Sequence, residues 1–259
     1  MVDCQNLYTW VSNPYQEWID TPYPEWGECT EGALHQVWMD QVYAYAVTSS
    51  GLSIIDLETG NNVSYIYNRD GFTTIWGNDD TIYVGTLADG IKYIDKTTIS
   101  GNASAPYDLE TCLVDYDYYY NVSSDGIKYI HGNEDTLVAV TASGIDILNN
   151  GTNGYKSYYH NENITKCFMT TASEVYYIVQ GAEDEGIFRM NSPKCDWTVS
   201  DRSYKPGQSF LPVGKGVNDI FVTVKTSANK VSNTLFIATT SGVYVYDEET
   251  TEYDLYYTL

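Results

Sequence analysis

The sequence lacks the features that mark membrane-spanning and secreted proteins. None of its apolar runs approaches the roughly 20 residues that a membrane-spanning helix needs. The N-terminus, from Met1 to Asn6, has neither the basic region nor the apolar core of a signal peptide. The five cysteines are scattered without a C-x-x-C pair, which argues against a zinc site. An odd number of cysteines suits reduced thiols at least as well as a disulfide framework.

Basic residues are also scarce. Only 13 Lys and Arg stand against 35 Asp and Glu, which gives a formal net charge of −22. Nucleic acids and anionic membranes both attract cationic side chains, so this composition argues against either as a partner. Solubility explains such a charge, and two further interpretations stay open: a docking surface for a basic partner, and a salt-loving host.

No segment shows the 3.6-residue apolar period of an amphipathic helix, whereas strand signals are frequent. Tyrosine, which favours strands, occurs 26 times in the 259 residues. The segments Ile75–Thr86 and Ile130–Thr141 align with each other: each is a strand, a Gly-Asn-acid-Asp turn and a second strand. The sequence therefore contains an internal repeat of strands joined by tight turns.

A looser form of this repeat recurs along the chain. It consists of a β-rich run, a small or acidic residue with glycine, and an alternating apolar run. The marker glycines are Gly51, Gly90, Gly144, Gly186 and Gly242. Their spacings of 39, 54, 42 and 56 residues fit four-stranded blades. The two longer spacings contain loop-like insertions at 98–110 and 203–216.

The predicted fold class is all-β: a five-bladed β-propeller of four-stranded antiparallel blades with an N-terminal aromatic extension. A closed ring of sheets hides most strand edges. A β-sandwich or a β-solenoid with a fortuitous repeat is the competing interpretation. The predicted domains are an N-terminal Pro/aromatic arm at 1–34 and a propeller at 35–259, with blades at about 35–72, 73–122, 123–162, 163–216 and 217–259.

Two segments, Ser50–Gly60 and Ser241–Thr250, resemble blades of short-repeat β-propellers, and the resemblance extends over about residues 35–259. The WD40 type is not indicated, because the chain has no Trp-Asp and no Gly-His dipeptide. The resemblance implies a fold found in phage virion proteins, adhesins, lectins and ligand sensors. It does not choose among these functions.

The N-terminal arm carries the pattern Pro-Tyr-x-Glu-Trp twice, eight residues apart. The pattern places Tyr15 with Trp18, and Tyr23 with Trp26. We predict that these four residues bind a partner protein or a glycan, because large rings are common interface anchors. An arm packed as a strap across its own propeller is the structural alternative.

Catalytic and cofactor motifs are missing. The three histidines are weak candidates for the base of a Ser-His-Asp triad. His131 aligns with Trp76 in the repeat, and His160 lies in a polar loop. A glycosidase needs two facing carboxylates about 5–10 Å apart. The first strands of the predicted blades offer only Asp40 and Asp219.

Phosphate-binding and dinucleotide-binding loops are absent as well. The acidic turns at Asp79–Asp80 and Glu134–Asp135 lack the spacing of a calcium loop, so we interpret them as solvated turns. We therefore expect no enzymatic activity, no cofactor and no metal.

The predicted function is a non-catalytic structural or attachment module of a larger assembly, in the form of a phage tail or neck protein. Its partners would be other protein subunits of that assembly. A carbohydrate-binding adhesin or lectin, with a glycan as partner, is the alternative, and a glycoside hydrolase comes third. The expected location is a virion, facing outward, or the cytoplasm.

Overall fold

The chain divides into two compact units, Met1–Asp117 and Tyr118–Leu259. Their described residues form five antiparallel sheets, two in the first unit and three in the second. The computed structural model describes residues 33–60, 62–68, 71–101, 114–115, 126–142, 144–149, 154–159, 163–171, 174–181, 186–190, 216–227, 230–250 and 252–258.

Both sheets of the first unit are meanders in which each strand pairs with the next one in the chain. The first sheet consists of β1 (Leu34–Met39), β2 (Tyr43–Thr48), β3 (Gly51–Asp56) and β4 (Asn62–Tyr67). The second sheet consists of β5 (Thr74–Gly77), β6 (Thr81–Gly85), β7 (Ile91–Asp95) and β8 (Val114–Asp115). A short helix, α1 (Lys96–Gly101), directly follows β7.

The three sheets of the second unit follow the same meander order. The third sheet consists of β9 (Ile127–Gly132), β10 (Thr136–Thr141), β11 (Gly144–Asn149) and β12 (Gly154–Tyr159). The fourth has three described strands, β13 (Ile164–Met169), β14 (Val175–Val179) and β15 (Gly186–Met190). The fifth consists of β16 (Val217–Ser227), β17 (Lys230–Thr239), β18 (Gly242–Asp247) and β19 (Glu252–Thr258).

The repeated Gly-Asn-acid-Asp segment forms the turn between the first and second strands of a sheet. Asn78 Oδ1 accepts the N–H groups of Asp80 and Thr81 at 3.1 and 2.8 Å. Asn133 Oδ1 accepts the N–H groups of the two matching residues at 3.1 and 3.0 Å. Such Asx turns explain why the two segments align, because the side chain itself closes the turn.

The marker glycines lie where the third strand begins: Gly51, Gly144, Gly186 and Gly242 are first residues of that strand, and Gly90 directly precedes it. Gly90 has φ +72°, a left-handed conformation that favours glycine. At Gly51 a Cβ atom would collide with the carbonyl oxygen of Ile66 on β4. In four sheets a threonine hydroxyl at the end of the second strand donates to the carbonyl of the marker glycine, the residues being Thr48, Thr86, Thr141 and Thr239.

Hydrophobic cores lie between consecutive sheets of a unit. In the first unit Tyr45 and Val47 of the first sheet share a core with Ile82 and Val84 of the second. In the second unit the fourth sheet packs on both sides: Tyr177 of β14 joins the core with the third sheet, and its neighbours Tyr176 and Ile178 join the core with the fifth.

Burial on both faces changes the expected pattern of the strands. All five residues of β14 and all six of β10 are buried, and so are the first five of β3. These strands read as continuous apolar or small-residue runs, as is typical of strands covered on both faces. The run that follows the marker glycine Gly51 is therefore buried on both faces of its strand.

The first strands of consecutive sheets are neighbours within each unit. β5 lies against β1, β13 against β9, and β16 against β13. Side chains bond across these contacts: Gln36 Oε1 accepts the Thr74 hydroxyl at 2.7 Å and the Ile75 N–H at 3.1 Å. In the second unit the Met169 N–H donates to His131 Nδ1 at 3.1 Å. Within each unit, the sheets therefore stack face to face with their first strands as neighbours.

The prediction of an all-β chain built from small antiparallel sheets is confirmed. Helix α1 is the exception, and it includes the start of the segment 98–110 that was predicted as a loop. Asp95 explains its start, because its Oδ1 accepts the Thr97 N–H at 2.8 Å, as an N-cap does. In the described residues no helix has the length and apolar character to cross a membrane.

Candidate functional site

One position of the first strand carries an aromatic ring in all five sheets, and we call it the aromatic position. In β1, β5, β9 and β13 it is the last but one residue of the strand. In the longer strand β16 it is the residue that corresponds to this position of β13. Its residues are Trp38, Trp76, His131, Phe168 and Phe221, which pair across to Tyr45, Tyr83, Val138, Tyr176 and Phe236 of the second strands.

In the first unit Trp38 is surrounded by an ion pair and a tyrosine. Lys96 Nζ lies 4.4 Å from the centre of the Trp38 ring and 2.8 Å from Asp40 Oδ2. The Tyr45 hydroxyl donates to the same carboxylate oxygen at 3.3 Å. The group ties the first sheet to the start of α1, because Lys96 follows the third strand of the second sheet.

Charge and burial shift the acid groups of this cluster. Burial alone would raise the pKa of Asp40, but the Lys96 ammonium and the N–H groups of Tyr43 and Val42 outweigh it and hold the pKa below its usual value. Burial, with the Asp40 charge nearby, raises the pKa of Tyr45. Asp40 is therefore an ion-paired carboxylate at neutral pH, which suits a structural tie better than a general acid.

In the second unit the aromatic position forms a continuous row. The ring centres of His131 and Phe168 are 4.2 Å apart, and those of Phe168 and Phe221 are 5.5 Å apart. The row continues across the fifth sheet through Phe236, 6.3 Å from Phe221, to Tyr256, 6.5 Å further on. We call the three first-strand rings His131, Phe168 and Phe221 the aromatic row; Phe221 is 56% exposed.

A second row lies beside the aromatic row. Two residues earlier in the same three strands stand Tyr129, Lys166 and Asp219, on the same strand faces because side chains alternate. Lys166 Nζ is 2.6 Å from Asp219 Oδ2 and 5.6 Å from the centre of the Tyr129 ring. We call these three residues the polar row.

His131 is a neutral member of the aromatic row. Burial lowers its pKa to about 4, and its Nδ1 accepts the Met169 N–H, so at neutral pH the proton sits on Nε2. Its neighbour Cys167 is fully buried, and burial raises the pKa of that thiol. Both groups link the third and fourth sheets: His131 Nδ1 accepts from the Met169 N–H, and Cys167 Sγ lies 3.8 Å from the Val138 carbonyl oxygen.

A polar network between the fourth and fifth sheets was not predicted from the sequence. The Tyr176 hydroxyl donates to Glu248 Oε1 at 2.7 Å, and Arg189 Nη1 donates to both oxygens of Glu248 at 3.1 and 3.3 Å. Asn233 Nδ2 donates to Glu174 Oε2 at 2.5 Å and to Glu248 Oε2 at 3.1 Å. Its partners are up to 72 residues apart in the chain, so no local motif signals it.

The predicted site residues fall into three groups. Tyr15, Trp18, Tyr23 and Trp26 lie outside the described residues, so their role stays a prediction. Asp40 and Asp219 belong to different units, and each is paired with a lysine rather than with another acid. The four acidic residues of the turns at 79–80 and 134–135 are exposed, and the described part of the chain contains no cluster of three or more His, Cys, Asp or Glu that could hold a metal ion.

The chain is similar in fold to solved bacterial structures. No family model matches the chain, and a search of curated proteins found no match. One similar structure is the extracellular domain of a putative hybrid two-component system from B. thetaiotaomicron, with 16% identity and a TM-score of 0.56. Another is the extracellular domain described as a putative one-component system from the same organism, with 17% identity and a TM-score of 0.55. Each alignment covers 86% of this chain, which spans only 29% of the other.

Proposed function

We propose that the five sheets close into a five-bladed β-propeller that works as a non-catalytic binding module. The observation that carries this proposal is the aromatic position, which recurs in every one of the five sheets. In a ring of blades around a central channel, a position repeated at one end of the first strands would form a shared surface near the axis.

The stacking of the sheets supports closure. The first sheet packs on the second, the third on the fourth, and the fourth on the fifth, each time with the first strands as neighbours. A ring repeats this one contact until the last sheet meets the first. The blade boundaries predicted from the sequence, at about 35–72, 73–122, 123–162, 163–216 and 217–259, are part of this proposal.

The carboxylates support a non-catalytic role. A retaining or inverting glycosidase uses one carboxylic acid and one carboxylate that face the same bond. Here Asp40 and Asp219 are each neutralised by a lysine at 2.8 and 2.6 Å. Glu174 and Glu248 are both contacted by Arg189 and Asn233, so each carboxyl group is engaged within the chain.

Attachment to another protein is favoured by the outer strand of the fifth sheet. β19 exposes Leu255, Tyr256 and Tyr257 at 52%, 74% and 61%. Neighbouring exposed large side chains on an edge strand are a common mark of an interaction surface. The similar solved structures are extracellular domains, so we infer a role in recognition outside a cell or on the outside of a particle. The phage tail or neck location stays a prediction from the sequence.

Small-angle X-ray scattering of the full chain tests the ring. A compact fold of 259 residues has a radius of gyration of about 18 Å. We expect this value and a single compact distance distribution. A clearly larger radius with two separated maxima would show two independent bodies and would overturn the proposed ring.

A further inference from the structure

We propose that the outer edge of β19 binds an extended segment of a partner protein that carries two basic residues two positions apart. The segment would pair with β19 as an added strand, a common mode of peptide recognition at sheet edges. This inference rests on the proposed binding function and adds the place of the contact and the chemical class of the partner. β19 is the last strand in the order of the fifth sheet, and among the described strands it pairs only with β18.

The edge of β19 lacks most of the features that protect an edge strand. Proteins blunt such edges with lysine, proline, a bulge or a covering segment. The seven residues of β19 include no lysine and no proline. A register shift leaves Tyr256 without a partner on β18, so the regular part of the edge is Glu252–Leu255. A short strand can therefore be added at this part, with the large side chains of Tyr256 and Tyr257 next to it in the chain.

The outer strand of the first sheet does not share the exposure of β19. Ile66 of β4 pairs with Leu52, and Tyr257 of β19 pairs with Val243. Leu52 and Val243 each follow a marker glycine, so Ile66 and Tyr257 occupy equivalent positions of the repeat. Ile66 is fully buried, whereas Tyr257 is 61% exposed. Position in the repeat therefore does not account for the exposure of β19.

The regular part of the edge carries two acidic side chains on one face. Glu252 and Asp254 are both exposed and two residues apart, so alternation places them on the same side of the strand. Neither forms an ion pair with a residue that the structure describes. Lys225 is paired instead with Asp247, which stands opposite Glu252 in the register, at 3.0 Å. Basic residues two positions apart on an added strand would face this acidic pair, and opposite charges on neighbouring strands attract.

Charge distinguishes this partner from the two other segments that could cover β19. A second copy of the chain also carries −22, so repulsion opposes the pairing of two copies edge to edge. The N-terminal arm at 1–34 contains six acidic residues and no lysine or arginine. Neither the arm nor β19 of a second copy can place a base opposite Glu252 and Asp254. The occupant that the charges favour is therefore a basic segment of another protein.

The experiment uses the full chain and the synthetic peptide acetyl-Val-Thr-Lys-Val-Lys-Thr-Val-amide. This peptide reads the same in both directions, so it assumes no strand orientation. Titration calorimetry is expected to show saturable binding. A second peptide has glutamate in place of both lysines, and a third has alternate backbone amides methylated. We expect each to bind at least tenfold more weakly, because the second loses the opposite charge and the third loses the donors that pair strands.

Variants of the chain test the place of the contact. Glu252→Lys combined with Asp254→Lys reverses the charge at the edge and is expected to weaken the basic peptide at least tenfold. The matched control is Glu134→Lys combined with Asp135→Lys, which changes the net charge equally in an exposed turn of the third sheet. We expect it to change the affinity less than twofold. Equal losses in the two variants would show that the peptide follows the overall charge, and would overturn the inference.

Thermal melting shows first that the variants are folded. Where the double lysine variant of β19 does not fold, Glu252→Gln combined with Asp254→Asn takes its place. Its control is then Glu134→Gln combined with Asp135→Asn, and the same difference between the two is expected in direction.

Hydrogen exchange measured by mass spectrometry identifies what covers β19. In the chain alone, the amides of 252–258 that do not bond to β18 should exchange fast, and the basic peptide should slow them. Protection that rises with the protein concentration would assign the edge to a second copy. Protection that is complete in the dilute chain without peptide would assign it to another segment of the same chain. Either result would overturn the inference, as would no binding of the basic peptide.

Scattering from the same sample separates this inference from the proposed function. A compact ring that does not bind the peptide refutes this inference alone. Two separated bodies with the peptide bound at β19 refute the ring and leave this inference intact, because β19 and its sheet lie within one unit.

Discussion

The contact between the first two sheets and the contact between the last two use different polar chemistry around similar apolar cores. In the first unit a single ion pair, Lys96–Asp40, lies beside Trp38 and is partly exposed. In the second unit the network centred on Asn233 has a buried amide, with Asn233 itself 2% exposed, although its Arg189 and Glu174 side chains are 33% and 32% exposed. Loss of a partly exposed ion-pair partner is tolerated because water replaces it, whereas loss of the buried Asn233 amide leaves its partners without a donor that water can replace.

The largest predicted effect is therefore at the buried amide of Asn233. Asn233→Ala removes the amide that donates to Glu174, Tyr176 and Glu248, and leaves two carboxylates without that donor. We expect a loss of about 3 kcal/mol in the free energy of unfolding, measured by urea denaturation.

Gln36→Ala is its counterpart in the first unit, because this side chain accepts two hydrogen bonds from the neighbouring sheet. We expect it to lose about 1 kcal/mol. Equal losses in the two variants would show that burial of the network does not set the difference.

The second prediction concerns acid and is specific to the second unit. The folded pKa of His131 is about 4, below the unfolded value near 6.5, so the unfolded state binds a proton first. Stability is therefore full above pH 6.5 and falls as the pH drops from 6.5 towards 4, by on the order of 2 kcal/mol. Urea denaturation at a series of pH values measures this slope.

His131→Phe keeps a ring at the aromatic position and removes the titration. This variant should unfold with a flat stability between pH 6.5 and pH 4.5, while the natural chain loses stability over that range. The matching positions of the first unit are Trp38 and Trp76, which do not titrate. An unchanged slope in His131→Phe would assign the acid sensitivity to other groups.

The smallest predicted effect is at the Lys96–Asp40 ion pair. Lys96→Met removes the ammonium and keeps the apolar stem, and we expect a loss of about 1 kcal/mol, or a melting temperature lower by about 2–4 °C. The loss should shrink in high salt, because the pair is partly exposed. It should also vanish as the pH falls through the lowered pKa of Asp40, since protonation ends the pairing. A salt-independent loss would point to the packing of the stem on Trp38 instead.

The turns and strands could be predicted from the sequence because their chemistry is local. Asn78 and Asn133 close turns within three residues, and Gly90 needs its own left-handed backbone. Helix α1 was missed although Asp95 offers an N-cap, because six residues are too few to show a helical period.

The candidate site could be predicted from the sequence only in part. The alignment of Trp76 with His131 indicated an equivalent position, but Trp38, Phe168 and Phe221 share only the presence of a ring. The aromatic row forms because neighbouring sheets bring these rings together. The sequence of a single strand does not show which rings of other strands will lie beside it. No sequence pattern predicts the Asn233 network, because its groups come from two sheets.

The burial of β14 on both faces has a consequence for synthesis on the ribosome. The described strands of the fourth sheet end at Met190, but the fifth sheet, which covers Tyr176 and Ile178, ends at Thr258. At translation rates of about 5–20 residues per second, the nascent chain exposes this apolar face for a time on the order of seconds. A chain that stops in this interval presents a strand of Val, Tyr and Ile without its cover, the composition that promotes intermolecular β-pairing. Premature termination in this region therefore yields an aggregating product rather than a smaller folded one.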